Sequence, residues 1–170
     1  SPEAIVTEGL ALMIQVTNAT AAAAQRLADA GVGQVVINSL PSGDFFPAVR
    51  TDPLLAPVAE IVLSLHNNRL EQAVADLQAA GVDAVFVNIA AMSRSIVDDP
   101  LTFGITTPID DVVVLDNNPL DPVLNPELAD VPLDQVAFFD LVHPTDTIHG
   151  VLGSFHAASL TSTVTIGTAL

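Results

Sequence analysis

Asp140 and His143 are the two residues of this chain whose types and spacing best suit chemistry. They lie in Phe138-Phe139-Asp140-Leu141-Val142-His143-Pro144-Thr145-Asp146-Thr147-Ile148-His149. An apolar run ends in the acid, and two apolar residues separate it from the histidine. One tight loop can carry both side chains without a long ordered connection. An imidazole held beside a carboxylate acts as a general base with a supporting charge. The pair lacks an obvious nucleophile. An Asp-x-x-His spacing also arises readily by chance, so its weight depends on its surroundings.

Other polar residues speak less clearly. His149 falls six residues beyond His143, on the helix expected there, where a structural role is the simpler reading. His66 and His156 lie in expected helices, and four scattered histidines show no metal-ligand spacing. Ser42-Gly43-Asp44 reads as a turn, and Asn18 as a polar residue on a helix. The acids Asp110, Asp111, Asp116 and Asp121 lack the order of an EF-hand loop, which leaves calcium binding as a minor alternative. No cofactor is implied.

The elements that must position the pair form a recurring αβ pattern. Gly9 to Ala30 carries apolar residues at helical spacing, with Gly31 as C-cap. Val35-Val36-Ile37-Asn38 suits a buried parallel strand. Leu40 to Asp44 is turn chemistry, followed by a loop with Phe45-Phe46-Pro47. Leu54 to Ala56 starts a helical turn that Pro57 is expected to interrupt, and a long helix is expected from Val58 to Ala80. Gly81 caps it, and Val82 to Ala90 reads as a second strand. Leu27-Ala28-Asp29-Ala30-Gly31-Val32 and Leu77-Gln78-Ala79-Ala80-Gly81-Val82 echo each other at a period of 50. Two copies suit two αβ units of one parallel sheet with helices on its faces.

Ser93 to Val97 is expected to form a short helix. From Asp98 to Asp134 the texture changes: the segment holds nine of the 20 acids and six of the 12 prolines, with one plausible strand at Val112 to Leu115. A stretch of that kind is more often functional or mobile than a simple connector. Val136 to Phe139 reads as a short strand leading into the Asp140–His143 loop. Thr145 suits the N-cap of a last helix running to about Leu160, with Asp146 in its first turn. The organisation expected is one domain over residues 1–160, with a long acidic, proline-rich loop at 98–135 and a tail at 161–170.

Composition narrows the function classes. The 170 residues allow one domain with a sizeable core, half hydrophobic but with seven aromatics, all Phe. Twenty acids face four bases, all Arg, for a formal charge of −16. Nucleic acid and anionic membranes are disfavoured as partners. Without cysteine, disulfides and thiolate chemistry are excluded. No stretch reaches the roughly 18 apolar residues of a membrane span. The start at Ser1-Pro2-Glu3, with neither Met nor a charged leader region, suggests a processed, excised or truncated piece.

With these neighbours in place, the segment Val136 to Thr145 followed by His149 resembles the last sequence block of the SGNH (GDSL-type) lipases and esterases. It is most similar to the autotransporter esterase and thermolabile haemolysin branch, with its Phe-Asp-x-x-His-Pro-Thr. Earlier segments agree in order. Val35 to Asn38 with Leu40-Pro41 and Pro47 resembles that branch's strand and Leu-Pro loop. Asn67 or Asn68 with Leu70 resembles its Asn-x-x-Leu helix, and Pro100-Leu101-Thr102-Phe103-Gly104 its Pro-x-x-Phe/Tyr-Gly-Phe segment. The resemblance spans residues from about 10 to 158. It implies a three-layer α/β/α, flavodoxin-like fold with a parallel sheet, present here as its C-terminal part, and hydrolysis of carboxylic esters. His143 would be the general base and Asp140 its orienting acid. The nucleophilic Gly-Asp-Ser motif and the Gly-x-Asn-Asp block are absent from these residues, so both are expected upstream in the gene or on a separate chain.

The partners expected are therefore a small-molecule or lipid ester and an N-terminal half of the hydrolase domain. Secretion or the cell envelope is the expected location. The chain alone is expected to be inactive. Two alternatives stay open: a non-catalytic binding or structural module that keeps the fold, and a helper chain of a split enzyme. Phe45, Phe46 and Phe103 are candidates for an acyl pocket, though core is the simpler reading.

Overall fold

The computed structural model describes residues 2–116 and 121–162. The sequence-expected tail falls almost wholly outside these residues, as does part of the acidic loop. The chain runs α1 (Pro2–Asp29), β1 (Val35–Asn38), α2 (Pro47–Arg50), α3 (Leu55–Ala79), β2 (Ala84–Val87) and α4 (Ile89–Asp98). After these come β3 (Val114–Asp116), β4 (Val123–Leu124) and α5 (Asp146–Ser162), with short 3₁₀ turns at Pro100–Phe103, Pro126–Leu128 and Leu133–Gln135.

The fold is mixed α/β around a small parallel sheet. β1 pairs in parallel with β2, Val35 opposite Ala84 and Asn38 opposite Val87. Each strand follows a helix that ends the same way. Gly31 and Gly81 take φ of +90° and +87°. Val32 N–H then reaches the Leu27 carbonyl at 3.0 Å, and Val82 N–H reaches Leu77 at 3.0 Å. Such left-handed C-caps favour glycine and satisfy the last helical carbonyls. The 50-residue echo in the sequence is thus a repeated helix exit.

Side-chain alternation divides the sheet's contacts between its faces. Val35, Ile37 and Ala84 join Ala24, Leu70, Val74 and Leu77 in one buried cluster under α1 and α3. Val85 and Val87, also buried, point to the opposite face, and α5 lies against β2. A second cluster gathers Phe45, Ile96, Ile105, Val112, Ala137, Phe138 and Ile148. The Phe45 and Phe138 rings meet edge-on at 5.1 Å, and Phe46 packs on Phe45 at 5.2 Å. Of the three acyl-pocket candidates, Phe45 is thus a core residue, and Phe46 and Phe103 pack half-buried against the same cluster.

Several boundaries differ from the sequence-based expectation. Pro57 does not interrupt α3. It occupies the third helical position, where the missing N–H had no intrahelical partner to lose. Asp52 caps that end through Oδ1, which accepts from Leu54 and Leu55 N–H at 2.8 and 3.1 Å. The second strand is shorter than 82–90 because Asn88 starts α4, its Oδ1 accepting from Ala91 N–H at 2.9 Å. Pro47 begins a helix, not a loop. Val136 to Phe139 is not a strand. Phe138 alone forms isolated bridges, to Val112 and Pro144. The carbonyl of Val136 is taken by the Thr145 hydroxyl at 2.7 Å, and Phe139 N–H turns back to the His143 carbonyl at 2.8 Å.

Candidate active site

The loop carrying Asp140 and His143 is held from several directions. Phe138 anchors it in the core. Its carbonyl and that of Phe139 accept from Val113 and Val114 N–H at 3.3 and 2.8 Å. Thr145 closes the far end: its N–H donates to the Ala137 carbonyl at 2.9 Å, besides its hydroxyl bond to Val136. That hydroxyl therefore braces the loop instead of capping α5 through its side chain. From α2, Ala48 N–H donates to the Leu141 carbonyl at 3.0 Å. Arg50 ties the approach to α2, donating to the Asp44 carbonyl at 2.7 Å and to Asp110 at 2.6 Å.

Inside this frame the Asp140 side chain is 8 % exposed and that of His143 is 70 % exposed. Asp140 Oδ1 accepts from the N–H groups of Val142 and His143 at 2.9 and 2.8 Å. The His143 ring nitrogen Nδ1 lies 2.9 Å from Oδ1 and 2.8 Å from Oδ2. Burial pushes the Asp140 carboxyl upward. The Val142 N–H, the His143 ring and the His143 N–H together outweigh it and hold the group below its ordinary value. An ionised carboxylate only accepts hydrogen bonds, so Nδ1 carries the proton of neutral His143 and Nε2 carries the lone pair. Among the described residues, no hydrogen bond engages Nε2.

Two hollows adjoin the ring. One, of about 500 Å³, is lined by Leu133, Asp134, Phe139, Pro144, Asp146 and their neighbours. The other, of about 210 Å³, is lined by Val114, Leu115, Leu141 and Val142. Among the described residues, no serine lines either hollow. The two hydroxyls beside the larger one are turned away: Thr145 donates to Val136, and Thr147 to the Asp134 carbonyl at 3.1 Å. The described residues thus supply a base and its acid but no nucleophile within their reach.

Of the remaining sequence candidates, none joins the pair. Ser42 is buried, and both its N–H and its hydroxyl meet Ser93 Oγ, at 2.9 and 3.1 Å. Residues 43 and 44 form a turn, as expected. His66 is buried against α1, Nδ1 3.1 Å from Thr17 Oγ1, whose proton goes to the Met13 carbonyl at 2.8 Å. His149 is exposed on α5 and lines neither hollow. Asp110 is occupied by Arg50. Among the described residues, no group of three or more acidic or histidine side chains is arranged to hold a metal.

Sequence reasoning gave little weight to two features. Asn67 is buried and grips the Leu40 peptide on both sides, Nδ2 to its carbonyl and Oδ1 from its N–H, both at 2.9 Å. Only the family resemblance pointed to it. A polar cleft of about 120 Å³, lined among others by Glu60, Asn67, Asn88 and Arg94, contains neither dyad residue. Nothing in composition marks it in advance. No protein-family model matches the chain, and no curated protein does either.

Proposed function

We propose that the chain carries the acid and base of a serine ester hydrolase and works with a nucleophile supplied from outside these 170 residues. One observation carries this reading: a buried, multiply hydrogen-bonded carboxylate holds through Nδ1 an exposed imidazole that lines two hollows. In that role His143 Nε2 takes the serine proton as the oxygen attacks the acyl carbon. It then returns the proton to the leaving alcohol. A water activated by the same nitrogen cleaves the acyl-enzyme, while Asp140 stays ionised and stabilises the imidazolium.

The resemblance to SGNH esterases agrees with this chemistry. The three-layer fold it implies is supported by helices α1 and α3 on one sheet face and α5 on the other. The missing first strands, the nucleophile and the oxyanion donors belong in this reading to an N-terminal half, and the protein belongs outside the cytoplasm. The test joins the chain to the segment encoded upstream and follows hydrolysis of p-nitrophenyl butyrate with phosphonate labelling. Activity that His143→Ala abolishes, with labelling confined to the upstream serine, is expected. Labelling of the 170-residue chain by itself, or full activity in His143→Ala, overturns the assignment.

A further inference from the structure

Phe139 is the one exposed phenylalanine of the seven, at 45 %. Its exposure does not come from a loose backbone. Its N–H donates to the His143 carbonyl, and its carbonyl accepts from Val114 N–H, both at 2.8 Å. The backbone that carries the ring is therefore fixed, and Phe139 lines the groove of about 500 Å³ with His143 and Pro144. Leu133, 59 % exposed, lines the same groove. Its turn is pinned too: Thr147 donates to the Asp134 carbonyl at 3.1 Å, and Thr106 N–H to the Gln135 carbonyl at 3.1 Å. The groove's charged lining is acidic, Asp134 and Asp146, and no arginine lines it.

We propose that this groove seats an uncharged apolar group of the ester, with Leu133 and Phe139 deciding which groups fit and Asp134 and Asp146 turning anionic ones away. The proposal rests on reading His143 as the base, because the groove shares that residue. The groove's volume lies within the span of small-molecule sites, roughly 300–1,000 Å³. Apolar walls reward each buried methylene with up to about a four-fold gain in affinity. Two acids in a water-open groove repel an anion more weakly, by about a few-fold, and salt reduces the effect. Chain length and charge should therefore act as separate selectors carried by separate residues.

The test is equilibrium binding to the isotope-labelled chain, followed by NMR, with methyl butanoate, methyl hexanoate and the hexanoate anion as probes. Amide shifts are expected at Leu133, Phe139, His143 and Asp146. Affinity should rise by about two- to four-fold per methylene between the two esters. Hexanoate should bind about a few-fold more weakly than methyl hexanoate. Leu133→Ala and Phe139→Ala should flatten the chain-length dependence, with Phe139→Leu keeping part of it. Asp134→Asn with Asp146→Asn should narrow the gap between anion and ester. Shifts centred on Leu141 and Val142, no chain-length dependence, or equal binding of anion and ester would each overturn the proposal. These readouts involve no turnover. A chain that binds as described yet never supports hydrolysis sinks the hydrolase reading alone, and an active hydrolase without this binding sinks the groove assignment alone.

Discussion

Ala48 N–H donates to the Leu141 carbonyl at 3.0 Å, which couples the helix after the first parallel strand to the loop bearing Asp140 and His143. The Phe45–Phe138 ring contact reinforces the same join. The dyad is thus held by the segment between β1 and α3 as well as by its own turn. Geometry of this kind supports preorganisation, since backbone bonds of the loop itself hold the carboxylate beside the imidazole.

Replacing Asp140 by Asn should separate orientation from charge. An amide fills the same space but offers an N–H where the ring needs an acceptor, which favours the wrong tautomer. If the proposed hydrolase is completed by its nucleophile segment, kcat should fall by about 10³- to 10⁴-fold, the scale known for the corresponding change in the Ser-His-Asp template. Steady-state kinetics with p-nitrophenyl butyrate check this. A loss below about ten-fold would remove Asp140 from the catalytic role assigned to it.

Two groups should give the fold an acid-sensitive stability. Asp140 is held below its ordinary value in the folded state. As pH falls below about 4, the unfolded chain takes up a proton that the folded chain refuses, and stability drops until the folded value is passed. His66 is also lowered, by burial against a weaker opposing bond to Met13. Below about pH 6.5 the unfolded chain binds a proton that folded His66 does not, so stability falls across that window too. Urea unfolding at pH 7.5 and 5.5 should show the His66 loss, and His66→Gln should reduce it. An unchanged difference in the variant would exclude His66 as its source.

How much of this was legible beforehand depended on how local each cause is. Gly31 and Gly81 announced both helix exits because a left-handed cap leaves its mark within six residues. The Asp140–His143 contact was readable for the same reason, being three positions long. Pro57 misled because its effect depends on which helical position it takes. The Val136–Phe139 segment looked like a strand because buried apolar loop and buried strand share one pattern. What decided the matter was distant: Thr145 drawing back the Val136 carbonyl, and Phe45 meeting Phe138. Leu133 and Phe139 as groove walls were illegible, since a sequence shows that residues are apolar and not that they stay exposed.

Gly43 is constrained by space. A Cβ at this position would lie 2.6 Å from Glu60 N and 2.9 Å from Ala59 C, both backbone atoms of α3. Neither can move aside as a flexible side chain would. Gly43 N–H also donates to Glu60 Oε2 at 3.2 Å, so the loop is held at that distance. Gly43→Ala should destabilise the fold by about 1–3 kcal/mol, read as a lower urea midpoint at unchanged slope. An unchanged midpoint would mean that the loop and α3 separate freely.

Asn67 offers the sharpest test of how the β1 exit is built. Its amide replaces a strand partner, satisfying both polar groups of the Leu40 peptide across 27 residues of sequence. Asn67→Ala leaves that N–H and carbonyl partly buried and without their partner, at a cost of about 2–4 kcal/mol. Asn67→Asp keeps the shape and one acceptor but places a charge against the Leu40 carbonyl, so it should rescue little. Asn67→Gln can restore the amide only by shifting the loop. If unfolding free energies rank the wild type above Gln, and Gln above Asp and Ala, the amide clamp is the cause. If Asn67→Ala costs less than about 0.5 kcal/mol, water replaces the amide and the Ser42–Ser93 and Gly43–Glu60 contacts suffice to hold the Leu40 loop.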